Sequence, residues 1–233
     1  MKNMLVEDVV EQVRICLDQN MTSEALADLG DVDTLSLDDL IWSKIEDAAL
    51  SVVLAAPVFM LDDISVPIGN ENFSIEPEFP HAGIVELPDD YARLVMLKLS
   101  GWQYPIYEVL PPHTSLYAQA NSGFNVFGTK DRPVVFLVPT RPTQYSKRGR
   151  RLEVYCASNR SDTIENCLYV PKPKMRPAGL DGSETDGMHI KLGDDLERPT
   201  IYYAAYLTAM AVNDDNAAAK LLGVAKDKLG INE

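Results

Sequence analysis

The densest group of chemically active residues lies between residues 141 and 151, where the chain reads RPTQYSKRGRR. This basic stretch contains five cations: Arg141, Lys147, Arg148, Arg150 and Arg151. Such cations can contact the phosphates of a nucleic-acid backbone, without sequence readout and with a strong dependence on salt. They can equally dock on an acidic protein surface, and a solvated turn is the third interpretation. No recognition helix or stacking platform accompanies them, so base readout is not expected.

Paired carboxylates are the second feature that could do chemistry. Two carboxyl groups can serve as the acid and the base of a hydrolase, and a cleft gathering Asp89, Asp90 and a histidine would favour that function. Three of the pairs lie where helices are predicted to begin, and the helix dipole stabilises acids there. We therefore favour capping roles. The adjacent acids are Asp38/Asp39, Asp62/Asp63, Asp89/Asp90, Asp194/Asp195 and Asp214/Asp215.

Sequence motifs for metal, nucleotide or nucleophilic chemistry are absent. The histidines, His81, His113 and His189, lie far apart in stretches rich in Pro or Gly, which favours loop histidines over metal ligands. The chain has no GxxxxGK[ST], no GxGxxG after a strand, no GxSxG and no HExxH. We predict no enzymatic activity, no cofactor and no metal.

Charge is segregated along the chain. Asp and Glu number 35 and Lys and Arg number 21, which gives a net charge of −14. Residues 1–90 carry −17, residues 91–129 carry +1, residues 130–176 carry +7 and residues 177–233 carry −5. Two interpretations follow. A net charge far from zero keeps proteins dispersed in solution. Alternatively, the basic segment of one copy faces the acidic segment of the next, in a head-to-tail contact that can close into a ring. So acidic a chain is a poor free binder of DNA.

Length and composition are those of an ordinary globular protein. The chain has 233 residues, of which 46% are hydrophobic and 24% charged, enough for one large domain or two small ones. No apolar run approaches the roughly 20 residues that span a bilayer, and no secretory signal is visible. Three cysteines without a CxxC pair suit a reducing compartment.

Apolar spacing predicts five helices in this chain. The first covers residues 3–19, and the second covers residues 37–55 with Ser36 as its N-cap. Leu87-Pro88-Asp89-Asp90 predicts the start of a third helix that ends at Gly101, because Pro and acids favour a first turn. The last two begin near Pro199 and Ala217, and Gly230 ends the final one.

Short extended segments predict a small antiparallel sheet. Residues 133–138, 151–156 and 166–170 are rich in β-branched and alternating residues. Residues 57–86 are interrupted by prolines and contain short extended pieces, and residues 171–198 are predicted to be a long loop. The expected fold class is α+β: a helical core with an inserted β module and long extended loops. Residues 1–104 begin the helical core, residues 105–198 form the inserted module, and residues 199–233 complete the core.

Three stretches and a closing pair of Ala/Leu-rich helices resemble a known family. The stretches are Asp47-Ala48-Ala49, Leu87 to Val95 (LPDDYARLV) and Lys98 to Trp102 (KLSGW). Over residues 36–110 and 199–230 the chain resembles head-to-tail connector proteins of tailed bacteriophages. The likeness is to adaptor or tail tubular proteins of podovirus type, including ring proteins of crAss-like phages.

This resemblance implies a structural protein of the virion. It implies a dodecameric ring in the phage neck, assembled in the bacterial cytoplasm, that binds the portal protein on one side and the next neck or tail protein on the other. Double-stranded DNA would pass through the lumen without sequence readout. The resemblance also implies a helical core with a β insertion and no catalysis.

Two sets of residues carry this hypothesis. The five cations of the basic stretch are expected to contact an acidic neighbour or transiting DNA. Tyr202, Tyr206 and Leu222 of the closing helices are expected to pack on the helical core or on the portal. Two alternatives stay open: a cytosolic hydrolase that uses paired carboxylates, and a monomeric module that binds nucleic acid through the basic stretch.

Overall fold

The computed structural model describes residues 2–17, 36–75, 82–121, 132–139, 149–155, 162–177 and 187–231. Within these residues lie five α-helices: α1 Val6–Cys16, α2 Leu37–Ala55, α3 Ser115–Asn121, α4 Asp194–Ala211 and α5 Asp215–Lys228. The same residues form ten strands: β1 Lys2–Leu5, β2 Val66–Pro67, β3 Phe73–Ile75, β4 Ala82–Glu86, β5 Tyr91–Leu99, β6 Val134–Pro139, β7 Arg150–Tyr155, β8 Ile164–Pro171, β9 Met175–Pro177 and β10 Met188–Leu192. The α+β class is confirmed.

The chain divides into two compact units. Residues 1–64 and 172–233 form one, here called the helical unit, and residues 65–171 form the other, the β unit. These limits differ from the predicted limits at residues 104 and 198. The β unit begins earlier because β2 to β5 pair with strands of that unit, and it ends earlier because β10 pairs with β1.

Helix α2 forms as its local sequence predicts. The Ser36 hydroxyl accepts a hydrogen bond from the Asp39 N–H at 3.2 Å, and the Asp39 carboxylate accepts one from the Ser36 N–H at 3.3 Å, which completes a capping box. The helix ends at Ala55, just before Pro57, within the predicted limits. One stripe of the helix is buried: Leu37, Ile41, Ile45, Ala48, Ala49, Val52 and Val53.

Helix α4 packs against α1, α2 and α5 at the centre of the helical unit. Its buried face is rich in small residues such as Ala204, Ala205 and Ala209, which let helices approach closely. Asn213 follows α4 with a φ of 61°, and Gly230 follows α5 with a φ of 68°. Each occupies the left-handed position of a Schellman turn, which confirms the predicted stop at Gly230.

Helix α4 begins earlier than predicted. Its first residue is Asp194 rather than a residue near Pro199, and Pro199 lies inside the helix. Asp194, Asp195 and Glu197 occupy the first turn, where the dipole stabilises them. Residues 171–198 are accordingly not a plain loop, since they contain β9, β10 and this first turn; residues 178–186 are outside the described residues.

The N-terminal helix is shorter than the predicted helix over residues 3–19. Lys2–Leu5 forms β1, which pairs antiparallel with β10 in the three-stranded sheet β1-β10-β9, and α1 starts only at Val6. Long-range strand pairing overrides the helical spacing at the first residues. Residues 18–35, which follow α1 in the sequence, are outside the described residues.

The β unit contains two sheets, with strand orders β2-β8-β5 and β3-β4-β7-β6. The three predicted strands are confirmed as β6, β7 and β8, but they do not form one sheet: β6 pairs with β7, whereas β8 pairs with β5 and β2. The predicted extended pieces around Val66 and Phe73 are confirmed as β2 and β3.

The predicted third helix is wrong, because Tyr91–Leu99 is the strand β5. Pro88 to Tyr91 form a turn, closed by a 3.1 Å hydrogen bond from the Tyr91 N–H to the Pro88 carbonyl. The register of β5 against β8 shifts between Leu94 and Met96, a bulge that buries both Leu94 and Val95. Two adjacent buried residues hide the period-two pattern of a strand and imitate helical spacing.

Both faces of β7 are covered. Leu152 and Val154 belong to a core shared with residues of β5 and β8, including Leu97 and Leu99. Tyr155, on the opposite face, packs with Phe136 and with residues of α3. This alternation confirms the strand pattern predicted for residues 151–156.

Candidate functional site

The basic stretch divides at the start of β7. Arg150 and Arg151 are the first residues of that strand, whereas Arg141, Lys147 and Arg148 are outside the described residues. Gly149 precedes the strand with a φ of 58°, a backbone conformation that glycine adopts without strain. Because successive side chains of a strand alternate in direction, Arg150 and Arg151 leave β7 on opposite faces.

Arg150 contacts the β unit's own backbone and ring system. Its Nη2 donates a hydrogen bond to the Tyr91 carbonyl at 3.2 Å, and its guanidinium carbon lies 5.8 Å from the centroid of the Tyr91 ring. Tyr91 is 3% exposed, and this burial raises the pKa of its hydroxyl to about 12. Arg150 therefore anchors the start of β7 to the start of β5.

Arg151 belongs to a buried polar cluster around Glu153. Its Nη2 and Nε donate to Glu153 Oε1 at 2.8 and 3.2 Å. The hydroxyls of Tyr117 and Tyr155 donate to Glu153 Oε2 at 3.0 and 3.2 Å. Glu153 is 7% exposed, so these four donors compensate for its removal from water. Sequence reasoning grouped Arg150 and Arg151 with the surface cations, yet both have structural contacts.

The predicted docking residues of the closing helices are half-buried. Tyr202 and Tyr206 lie on α4 and Leu222 lies on α5, in the helical unit. The ring of Tyr206 meets that of Tyr203 edge to face, with centroids 5.2 Å apart. Partial burial on helices that pack together fits the expected contact with the helical core, and the expected contact with a portal stays a prediction.

The acidic pairs serve local structure where hydrogen bonds are visible. Asp39 completes the capping box of α2, and Asp214 caps α5 by accepting a hydrogen bond from the Ala217 N–H at 3.0 Å. Asp90 accepts one from the Tyr169 hydroxyl at 3.2 Å. These contacts confirm the expected capping roles for Asp39 and Asp214.

The histidines and cysteines are dispersed. His113 is exposed and His189 is buried on β10, whereas His81 is outside the described residues. Among the described residues, no three His, Cys, Asp or Glu side chains are grouped as metal ligands would be. Burial raises the pKa of both described thiols, Cys16 and Cys167, the latter to about 12, which makes a thiolate unfavourable there.

A groove between α1 and α2 is a feature that sequence reasoning missed. It has a volume of about 380 Å³, and its floor includes the buried Val10 and the half-buried Trp42. Arg14, 8% exposed, pairs with Asp38 across the groove, with 3.4 Å between Nε and Oδ1. Glu7 and Glu11 complete the lining. The spacing of Glu7 and Glu11, one helical turn apart on α1, was the available signal.

A second cavity of the helical unit, of about 400 Å³, lies where α4 begins and α5 ends. Its charged lining includes Asp194, Asp195 and Glu197 on α4 and Lys228 on α5. The acids of this cavity occupy the first turn of α4, so the dipole of that helix already accounts for them. In the groove between α1 and α2, the helix dipole accounts for Glu7, which lies in the first turn of α1, but not for Glu11.

A scan against protein-family models and a search of curated proteins found no match to this chain. None of the helices within the described residues combines the length and the apolar composition that crossing a bilayer requires.

Proposed function

We propose that this chain is a structural adaptor that forms a ring in the neck of a tailed phage, joins the portal to the tail and lets double-stranded DNA through its lumen. The observation that carries the proposal is the division of charge. The helical unit contains 24 acidic and 11 basic residues, a net charge of −13, while the β unit contains 11 and 10, a net charge of −1. Identical copies can join head to tail where an acidic surface meets a local cluster of cations.

The architecture supports the same role. A helical unit interrupted by an inserted β unit is the arrangement that the resemblance to connector proteins implies. An acidic surface repels phosphate, so DNA can slide past it without being held. Function in this proposal comes from assembly, and the virion is the place where the chain would act.

The two alternatives have weaker support. The hydrolase hypothesis depends on Asp89 and Asp90, but Asp90 accepts a hydrogen bond from Tyr169 beside a turn between two strands. The nucleic-acid module depends on the five cations, but Arg150 and Arg151 already bind groups of the β unit. We therefore rank both below the ring adaptor.

Charge reversal of the three cations that precede β7 tests the proposal. The variant Arg141→Glu, Lys147→Glu, Arg148→Glu leaves Arg150 and Arg151 in place, so the β unit keeps its contacts. We expect circular dichroism to match wild type and electron microscopy to show that rings are lost. The matched control, Lys174→Glu, Lys220→Glu, Lys228→Glu, changes the net charge equally at exposed positions of the helical unit and is expected to keep its rings.

Two results would contradict this account. If rings form as well in the triple variant as in the wild type, the basic stretch is not part of the interface. A wild-type chain that remains monomeric in native mass spectrometry at its highest soluble concentration, alone and with a portal protein, would overturn the adaptor proposal itself.

A further inference from the structure

The groove between α1 and α2 is lined by the apolar Val10 and Trp42 and by the acids Glu7 and Glu11, which are here called its rim. The ion pair of Arg14 with Asp38 completes the lining. Val10 is buried and Trp42 is half-buried, so a side chain entering the groove meets apolar and aromatic surface. Glu7 and Glu11 are exposed on the rim. Within the described residues, neither of these two carboxylates takes part in an ion pair.

Glu7 and Glu11 are placed one turn apart on the same face of α1. Like charges at this spacing destabilise a helix by a few tenths of a kcal/mol. A cation held between them would relieve the repulsion, and the nearby indole of Trp42 offers the aromatic face that cations prefer. The groove therefore suits an Arg or Lys side chain whose apolar stem lies along Val10 and Trp42.

We infer that this groove receives the cationic segment of residues 140–149 from a second copy of the chain. The inference rests on the proposed function and names the acidic partner of the head-to-tail contact. The segment, TRPTQYSKRG, carries Arg141, Lys147 and Arg148 and no acid, so its charge complements the rim. Arg150 and Arg151, which follow it, are engaged inside their own β unit.

Charge argues against the neighbouring part of the same chain as the occupant. Residues 18–35 join α1 to α2, and they contain five acids and no base. A segment of that composition is repelled by Glu7 and Glu11. The complementary charge is found instead in residues 140–149, with three bases.

Binding of a synthetic peptide tests the inference directly. The probe is fluorescein-labelled TRPTQYSKRG, and the protein is the full chain. We expect peptide anisotropy to rise on titration with wild type. We expect the affinity to fall about tenfold in Glu7→Gln/Glu11→Gln, since two exposed charge pairs are lost. The affinity for the peptide should fall further at about 1 M salt, where the Debye length is about 3 Å.

Two controls isolate the groove. Asp62→Asn/Asp63→Asn removes an equally exposed acidic pair elsewhere in the helical unit and should leave the affinity unchanged. A peptide in which Gln replaces the three cations should not bind. Emission from Trp42, measured in Trp102→Phe, should shift on binding, because Trp42 and Trp102 are the two tryptophans and Trp42 lines the groove.

The outcomes separate this inference from the proposed function. Absence of peptide binding, or binding that Glu7→Gln/Glu11→Gln leaves unchanged, overturns the groove as receptor. Should rings still be seen by electron microscopy, the adaptor proposal stands and its acidic contact lies elsewhere. Should the peptide bind as expected while the whole chain never self-associates, the groove is a basic-peptide site and the ring is wrong.

Discussion

The two units of this protein use charged residues in different ways. In the β unit, Arg151 pairs with the buried Glu153 at 2.8 Å and Lys98 pairs with Glu165 at 2.9 Å, and the net charge is −1. In the helical unit the net charge is −13, and acids such as Glu7 and Glu11 stand exposed on α1. The acids and bases of the β unit thus nearly balance, whereas the helical unit carries a large acidic excess.

This difference changes the meaning of the charge pattern in the sequence. Segments of −17 and +7 suggest two oppositely charged halves. In the structure, the acidic excess lies in the helical unit and the β unit is close to neutral. Two of the cations of the β unit, Arg150 and Arg151, form hydrogen bonds within that unit. In the proposed ring, complementarity between copies would then depend on the few cations that precede β7 in the sequence rather than on a whole basic domain.

The largest effect should come from Glu153→Ala in the β unit. The change removes the acceptor of four hydrogen bonds, from Arg151, Tyr117 and Tyr155, in a buried setting. We expect the free energy of unfolding to fall by about 3 kcal/mol. Urea denaturation measures it, with Trp102 reporting on the β unit.

Glu11→Ala, which removes an exposed acid of the helical unit, is the control for that variant. It should change the free energy of unfolding by less than about 0.5 kcal/mol. Equal effects of Glu153→Ala and Glu11→Ala would erase the contrast between a buried, hydrogen-bonded acid and an exposed one.

The second-largest effect is expected at alkaline pH, which should destabilise the β unit before the helical unit. Burial raises the pKa of Tyr91 and of Cys167 to about 12, from their ordinary values of 10.0 and 9.0, and both groups lie in the core of the β unit. The unfolded chain then releases these protons at lower pH than the folded chain. The stabilisation is fully present below about pH 9 and is lost as pH rises towards 12. The loss is about 1.4 kcal/mol per pH unit from Cys167 above about pH 9, and the same from Tyr91 above about pH 10.

The two tryptophans can follow this transition, since Trp102 reports on the β unit and Trp42 on the helical unit. We expect the emission of Trp102, measured in Trp42→Phe, to change before that of Trp42, measured in Trp102→Phe. A helical unit that unfolds first in alkali would show that these buried groups do not set the alkaline limit.

The smallest effect is expected from Gly223→Ala in α5. A Cβ at this position meets no atom within 4 Å, and Gly inside a helix costs up to about 1 kcal/mol relative to Ala. The isolated chain should therefore melt at a slightly higher temperature. Ring formation that falls despite this gain would place the exposed face of α5 at a contact between copies, and a lower melting temperature would contradict the open surroundings of Gly223.

The local sequence was sufficient to predict elements that depend only on residues close together in the chain. Ser36, Asp39 and the apolar stripe after them determine α2, and Gly230 determines the end of α5. The strand β5 was missed because its bulge buries Leu94 and Val95 together. No pattern within β5 reveals its pairing with β8, which depends on residues about seventy positions away.

The candidate site shows the same limit. The five cations were visible as residue types, but the contact of Arg150 with Tyr91 joins residues 59 positions apart. The groove needs α1 and α2 side by side, so Glu7 and Trp42 could not be linked from spacing alone. Only the tertiary structure shows that Arg150 and Arg151 have structural contacts within the β unit.

Zero-length cross-linking of a mixture of ¹⁴N- and ¹⁵N-labelled chains tests self-association most directly. A carbodiimide joins a lysine to a carboxylate in contact with it, and the isotopes show whether the two come from different copies. We expect mixed-isotope links from Lys147 to Glu7 or Glu11 in the fraction that contains rings. Links from Lys147 that are always within one isotope, in a chain whose mass stays that of a monomer, would contradict it.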